Sequence, residues 1–198
     1  MRVLDKGEQE ALLAILLHNT DLRKFGVLLC LYTGIRIGEI CALKWENVDL
    51  INGVISIRKT LQRIQCIEPC TGRKTKVIIT DPKSNCSIRD IPLPTFLTKM
   101  AQEYHSKPEA YVLTGCEEHY IEPRLLQYEF KKYIHACGLE GVNYHALRHT
   151  FATRCIDLGF DAKTLSEILG HTNVNITLNR YVHSSLDTKR FCMEKLTI

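Results

Sequence analysis

Apolar side chains recur along this chain first at helical spacing, then at strand spacing, then at helical spacing again. Asp5, with Glu8 three residues later, reads as a capping box opening a helix whose apolar stripe is Leu12, Ile15 and Leu16. A second helix is predicted from Leu22 to Tyr32 with Gly34 as its left-handed stop, and a short third from Arg36 or Ile37 to Leu43. The period then changes: Val48, Leu50, Val54, Ile55 and Ile57 flank Asn52-Gly53, the signal for a two-residue hairpin. Val77–Ile79 and Ser87–Ile91 are predicted to continue as strands around the turn Asp81-Pro82-Lys83-Ser84-Asn85.

Pro94 begins a helical stretch to Tyr104, and Tyr111-Val112-Leu113 reads as a short strand. Further helices are predicted near 123–136, 146–157, 162–169, 173–181 and 186–195, punctuated by Gly138, Gly159 and Gly170. The expected fold class is mostly α with one small antiparallel β-sheet inserted near the first third of the chain.

At 198 residues the chain suits one domain with a substantial core, and 45% hydrophobic and 24% charged residues are ordinary for a soluble protein. The formal charge of +4 is too small to name a partner by itself, so its placement matters more. Arg58, Lys59, Arg63, Arg73, Lys74 and Lys76 face the single acid Glu68 between positions 58 and 76. Such a stripe suits a phosphate backbone, although a charge run is also what a solvated surface looks like.

The chain has nine cysteines, most of them in apolar helical context where a free thiol behaves as a small hydrophobe. With no signal-peptide pattern at the start and no apolar run of about 20 residues, a reduced cytoplasmic protein is expected. Cys66 and Cys70 offer half of a zinc site, but no clean second pair accompanies them, and no metal is expected.

The chemistry concentrates in the last third. His145 and Arg148 lie three apart on one helix face, and His145 stands at the helix start, where backbone N–H groups favour an anion. An arginine fork matches phosphate oxygens bidentately. Far upstream, Gly34 lets the chain reverse so that Arg36 falls in the first turn of the next helix, with Glu39 its partner at i+3. Leu169-Gly170-His171 precedes Tyr181. A phenol with a reference pKa near 10 needs roughly 4 kcal/mol to ionise at pH 7, so a nucleophilic tyrosine requires cations or a base beside it. Lys83 in the strand turn is a candidate general acid for a leaving oxygen.

In their order along the chain these pieces resemble the catalytic domain of the tyrosine recombinases, the phage and conjugative-transposon integrases. TGIRIGEICALKW is similar to that family's first arginine box, PKSNCSIRDIPL to its lysine-bearing strand turn, and HALRHTFAT with LGH and Tyr181 to its second box. The resemblance covers nearly the whole chain. It implies site-specific DNA recombination, the integration or excision of mobile DNA, through a 3′-phosphotyrosyl intermediate without ATP, metal or other cofactor.

By position, the resemblance makes Tyr181 the nucleophile, Arg36 and Arg148 the clamp on the phosphate oxygens, and Lys83 the general acid. His145 would share proton handling with Tyr181, His171 would hydrogen-bond the phosphate, and Glu39 would support the site. It further implies that residues 1–198 are a C-terminal catalytic domain with the core-binding and arm-binding domains absent, so DNA binding should be weak and strongly salt-dependent. The partner would be double-stranded DNA, on which a homotetramer forms by exchange of the tail after Tyr181, with Phe191, Met193 and Leu196 as apolar anchors. The isolated chain is expected to be monomeric, and the setting to be a bacterial host's cytoplasm, at the nucleoid. Two alternatives stand beside this reading: relaxation of DNA by type IB topoisomerase chemistry, and a non-catalytic DNA-binding homologue.

Overall fold

Capping explains where the first helices begin. In the computed structural model, which describes residues 2–66, 74–81, 85–181, 190 and 193–194, α1 spans Lys6–Leu17. Its capping box is complete: Asp5 accepts from the Glu8 backbone N–H and Glu8 accepts from that of Asp5. Leu12 and Leu16 are buried, while Ile15 is half-buried. Asp21 caps α2 (Leu22–Thr33) by accepting from the N–H groups of Arg23 and Lys24. Seven consecutive residues of α2, Phe25 to Leu31, are buried, which makes it the central helix of the core. It stops at Gly34, whose φ of 65° is the left-handed conformation that glycine adopts without strain. The short α3 (Ile37–Ala42) follows at once.

The β region departs from expectation in three ways. First, β1 (Val48–Asp49) and β2 (Val54–Ile57) pair as Val48↔Ile55 and Asp49↔Val54, so a loop of Leu50 to Gly53 joins them in place of a two-residue turn. The Asp49 carboxylate accepts from the N–H groups of Ile51 and Asn52, which closes the longer loop. Second, two sheets form instead of one, with β3 (Thr60–Gln65) and β4 (Thr75–Thr80) making a separate antiparallel ribbon. Third, β5 (Arg89–Pro92) pairs with β2, not with β4, and residues 82–84 of the expected turn lie outside the described residues. Register follows burial: Ile55 faces Ile91 and Ile57 faces Arg89, so inward-pointing positions align.

The remaining helices are α4 (Thr95–Tyr104), α5 (Pro123–Ala136), α6 (His145–Asp157), α7 (Ala162–Leu169) and α8 (Val174–Tyr181). Tyr111 is only an isolated bridge to Lys44, with Val112 donating to the Leu43 carbonyl, so no strand forms there. The helix predicted over 186–195 falls largely outside the described residues.

Two apolar clusters result. The larger joins α1, α2, the Trp45 side chain, the three-stranded sheet, α4, α5 and the start of α6 at Ala146 and Leu147. The smaller contains Ala152, Cys155, Leu165, Leu169 and Tyr181. Because α6 contributes to both, its middle turn, with Arg148 and His149, lies where they meet. Among the described residues, no helix is long and apolar enough to cross a membrane, and no three His, Cys, Asp or Glu side chains cluster as a metal site would need.

Candidate active site

The last turn of any α-helix leaves carbonyl groups without intrahelical partners, and the helix dipole makes that end attractive to cations. At the end of α7 three consecutive carbonyls are taken by three arginines from three other elements. Arg89 Nε donates to Ile168 at 2.6 Å, Arg148 Nη2 to Leu169 at 2.7 Å, and Arg36 Nη2 to Gly170 at 2.8 Å. Gly170 closes the helix at φ 63°, and a Cβ there would come within 3.0 Å of both Arg89 Nη1 and the Cys86 carbonyl. The next residue is His171. This helix end therefore gathers the two sequence-predicted arginines, together with one that the motif reading left without a role.

Glu39 organises the cluster from beneath. Its carboxylate, 3% exposed, receives Arg89 Nη1 at 3.0 Å and Nη2 at 2.7 Å, Arg36 Nη1 at 2.8 Å, and the Arg36 backbone N–H at 2.8 Å. Burial alone would raise its pKa, but the hydrogen bonds and charge of Arg89, aided by Arg36, outweigh that and hold it below the ordinary carboxylate value. The sequence-predicted Arg36–Glu39 pair at i+3 is present.

Arg148 is 4% exposed and bridges two helix stops, donating Nη1 to the Gly34 carbonyl and Nη2 to the Leu169 carbonyl, each at 2.7 Å. Burial lowers its pKa to about 9, with the Arg36 charge acting in the same direction, so the fork still carries its charge at neutral pH. The charges of Glu39 and Tyr181 act against that lowering.

Tyr181 ends α8 and is 7% exposed, packed with Ala152, Cys155, Leu165 and Leu169. Its hydroxyl lies 2.7 Å from His149 Nδ1. His145, one turn earlier on α6, is exposed and meets His149 edge to face at a ring separation of 4.4 Å. His171 Nδ1 lies 2.8 Å from the Thr177 hydroxyl, which ties the segment after α7 to α8.

Lys83 and Arg73 lie outside the described residues, as do Cys70, Phe191 and Leu196; Met193 is exposed. The other basic candidates sit on or beside the β3–β4 ribbon. Arg58 pairs with Asp90 at 2.6 Å, Lys59 with Asp81 at 2.8 Å, and Arg63 with Glu122 at 2.6 Å, while Lys74 and Lys76 are exposed.

Two residues of the cluster, Arg89 and His149, carried no assignment from sequence. Each left a signal. Arg89 shares the inward parity of Ile91 on one strand, an unusual place for a cation. His149 falls on the same helix face as Ala152, three residues on.

The phage integrase family model matches residues 2–187. The chain belongs to that family. A tyrosine recombinase XerC-like protein of Caldanaerobacter subterraneus subsp. tengcongensis is 31% identical over 185 residues, spanning 85% of this chain and 47% of that protein. The tyrosine recombinase XerA of Thermococcus kodakarensis is 28% identical over 98% of this chain and 62% of its own length. Among solved structures, the Tn1549 transposon integrase in complex with transposon right end DNA superposes with a TM-score of 0.77 at 25% identity, covering 98% of this chain and 65% of that one. The chain thus spans about half to two thirds of the length of these relatives.

Proposed function

We propose that this chain is the catalytic domain of a site-specific DNA recombinase that cuts and rejoins strands through a 3′-phosphotyrosyl intermediate. The observation that carries the reading is the convergence at one helix end of Arg36 and Arg148, from boxes more than a hundred residues apart, beside His171, with Tyr181 in the apolar cluster that holds Leu169 of the same helix. The names of the family's relatives support it, as does a DNA complex of a similarly folded integrase.

In this reading the Arg36 and Arg148 forks clamp the scissile phosphate and stabilise the charge gathering on the pentavalent phosphorus. Tyr181 attacks phosphorus, Lys83 delivers a proton to the departing 5′-oxygen, and His145 and His171 bond the phosphate, with His145 also sharing in proton handling. Glu39 keeps Arg36 in place. No external energy source enters, because the phosphotyrosyl ester retains the energy of the broken linkage until a new 5′-hydroxyl attacks it. On DNA the chain acts as a homotetramer, linked by exchange of the tail after Tyr181, and alone it is a monomer. It works on double-stranded DNA at the nucleoid of a bacterial host.

The test uses a pool of nicked duplexes of random sequence, in which loss of a short fragment beside the nick prevents rejoining. The chain should form an adduct that survives denaturing electrophoresis, and Tyr181→Phe should form none while binding the same DNA. Adduct formation by Tyr181→Phe would refute the assignment.

A further inference from the structure

We propose that His149 is the base that receives the phenolic proton of Tyr181, an inference that rests on the phosphotyrosyl reading above. A candidate base must first reach the proton it removes, within about 2.6–3.2 Å between heavy atoms. His149 Nδ1 meets that requirement, at 2.7 Å from the Tyr181 hydroxyl.

The surroundings fit the role. His149 is 8% exposed and Tyr181 7% exposed, so the transfer occurs out of bulk water, on a pair fixed by packing of α8 against α6 and α7. The two rings are tilted by 48° at a centroid separation of 5.8 Å, so they meet without stacking. His145 stands exposed at the first position of α6, with its ring edge-on to His149 at 4.4 Å. His149, one turn deeper, thus meets the nucleophile directly, while His145 bonds the phosphate and shares in proton handling through its contact with the His149 ring.

The step balances. Tyr181 Oη forms a bond to phosphorus as its proton passes to His149 Nδ1. The P–O5′ bond breaks, and the 5′-oxygen takes a proton from the general acid, so one phosphodiester gives a phosphotyrosyl ester, a 5′-hydroxyl and an imidazolium. In rejoining, the imidazolium returns its proton to the departing phenolate. His149 is thus a catalytic residue, since it touches the reacting atom.

Two variants test it on the nicked-duplex pool. His149→Asn keeps a hydrogen-bond acceptor near the Nδ1 position but cannot take a proton, and should slow adduct formation by about 10²–10⁴-fold, the usual range for a lost proton acceptor. His149→Ala should be slowed likewise and partly restored by added imidazole, with DNA affinity and melting behaviour monitored alongside. A duplex ending in a 3′-p-nitrophenyl phosphate needs no acid for its leaving group, so it should rescue an acid variant but not these. Wild-type rates for His149→Asn, or full rescue of both variants by the nitrophenyl duplex, would overturn the proposal while leaving the cleavage reading intact. No adduct from the unaltered chain, or an adduct from Tyr181→Phe, would instead sink the cleavage reading and this inference with it.

Discussion

Gly170 and Arg36 meet across 134 positions of sequence, the Gly170 carbonyl accepting a 2.8 Å hydrogen bond from the Arg36 guanidinium. Gly34, two residues before Arg36, returns the favour by accepting from Arg148 at 2.7 Å. Each arginine box is therefore anchored on a helix stop contributed by another part of the chain. Cations at a helix C-terminus are each worth about 0.3–1 kcal/mol when exposed and up to about 2 kcal/mol when partly buried. Three of them on α7 make its end a structural hub as well as a site.

The hub makes Gly170 sensitive to a single methyl group. Its φ of 63° already strains any other residue, and a Cβ would also press on Arg89 and the Cys86 carbonyl at 3.0 Å. Gly159, at φ 84° with nothing within 4 Å, is the natural control. Gly159→Ala should lose only the left-handed strain, about 1–2 kcal/mol. Gly170→Ala should lose more, and should also weaken DNA binding. Urea unfolding of the two variants side by side checks the order.

Arg89 is predicted to matter more to folding than its absence from the motif reading suggests. Its side chain is 6% exposed and that of its partner Glu39 is 3% exposed. Arg89→Met leaves a buried carboxylate short of its main partner and should cost about 3–5 kcal/mol in urea unfolding. Adding Glu39→Leu removes the stranded charge and should recover part of that stability without recovering cleavage, since Arg36 has then lost the carboxylate that holds it. A double-mutant cycle in stability and in adduct yield separates the two effects.

Glu39 also sets a pH dependence. Its folded pKa lies below the unfolded value of about 4.3, so its contribution is fully present above that pH and fades as pH falls through the folded value. Stability measured from pH 7 downward should fall for the native chain, with a shallower fall for Glu39→Gln. The two curves should approach each other at the acid end.

Arg148→Lys should fail despite keeping the charge. One ammonium cannot span the Gly34 and Leu169 carbonyls as the planar fork does, so the cation would not be held in the same place. Adduct formation should drop by about 10²–10³-fold, the range seen when one transition-state donor is lost.

Much of this was legible along the chain, for reasons that can be named. Asp5 with Glu8, Gly34 and Gly170 announced helix ends because capping and left-handed turns are local. The strand partners were not legible. β3 buries only Leu61 fully, so its pattern gave no sign that it pairs with β4 alone, and the match of Ile55 with Ile91 that recruits β5 to β2 is a tertiary choice. Arg36, Arg148, His145, His171 and Tyr181 could be named from their boxes. That Arg89 and His149 stand among them could not, because what brings them in is the packing of β5 and α8 onto α7 and α6.

The central claim, that the Tyr181 hydroxyl becomes esterified to DNA at this cluster, is tested most directly by mass spectrometry of the trapped adduct after nuclease and protease digestion. The account predicts a nucleotide joined through its 3′-phosphate to Tyr181, and no modified peptide from Tyr181→Phe. A nucleotide attached to any other residue, with Tyr181 unmodified, would contradict it.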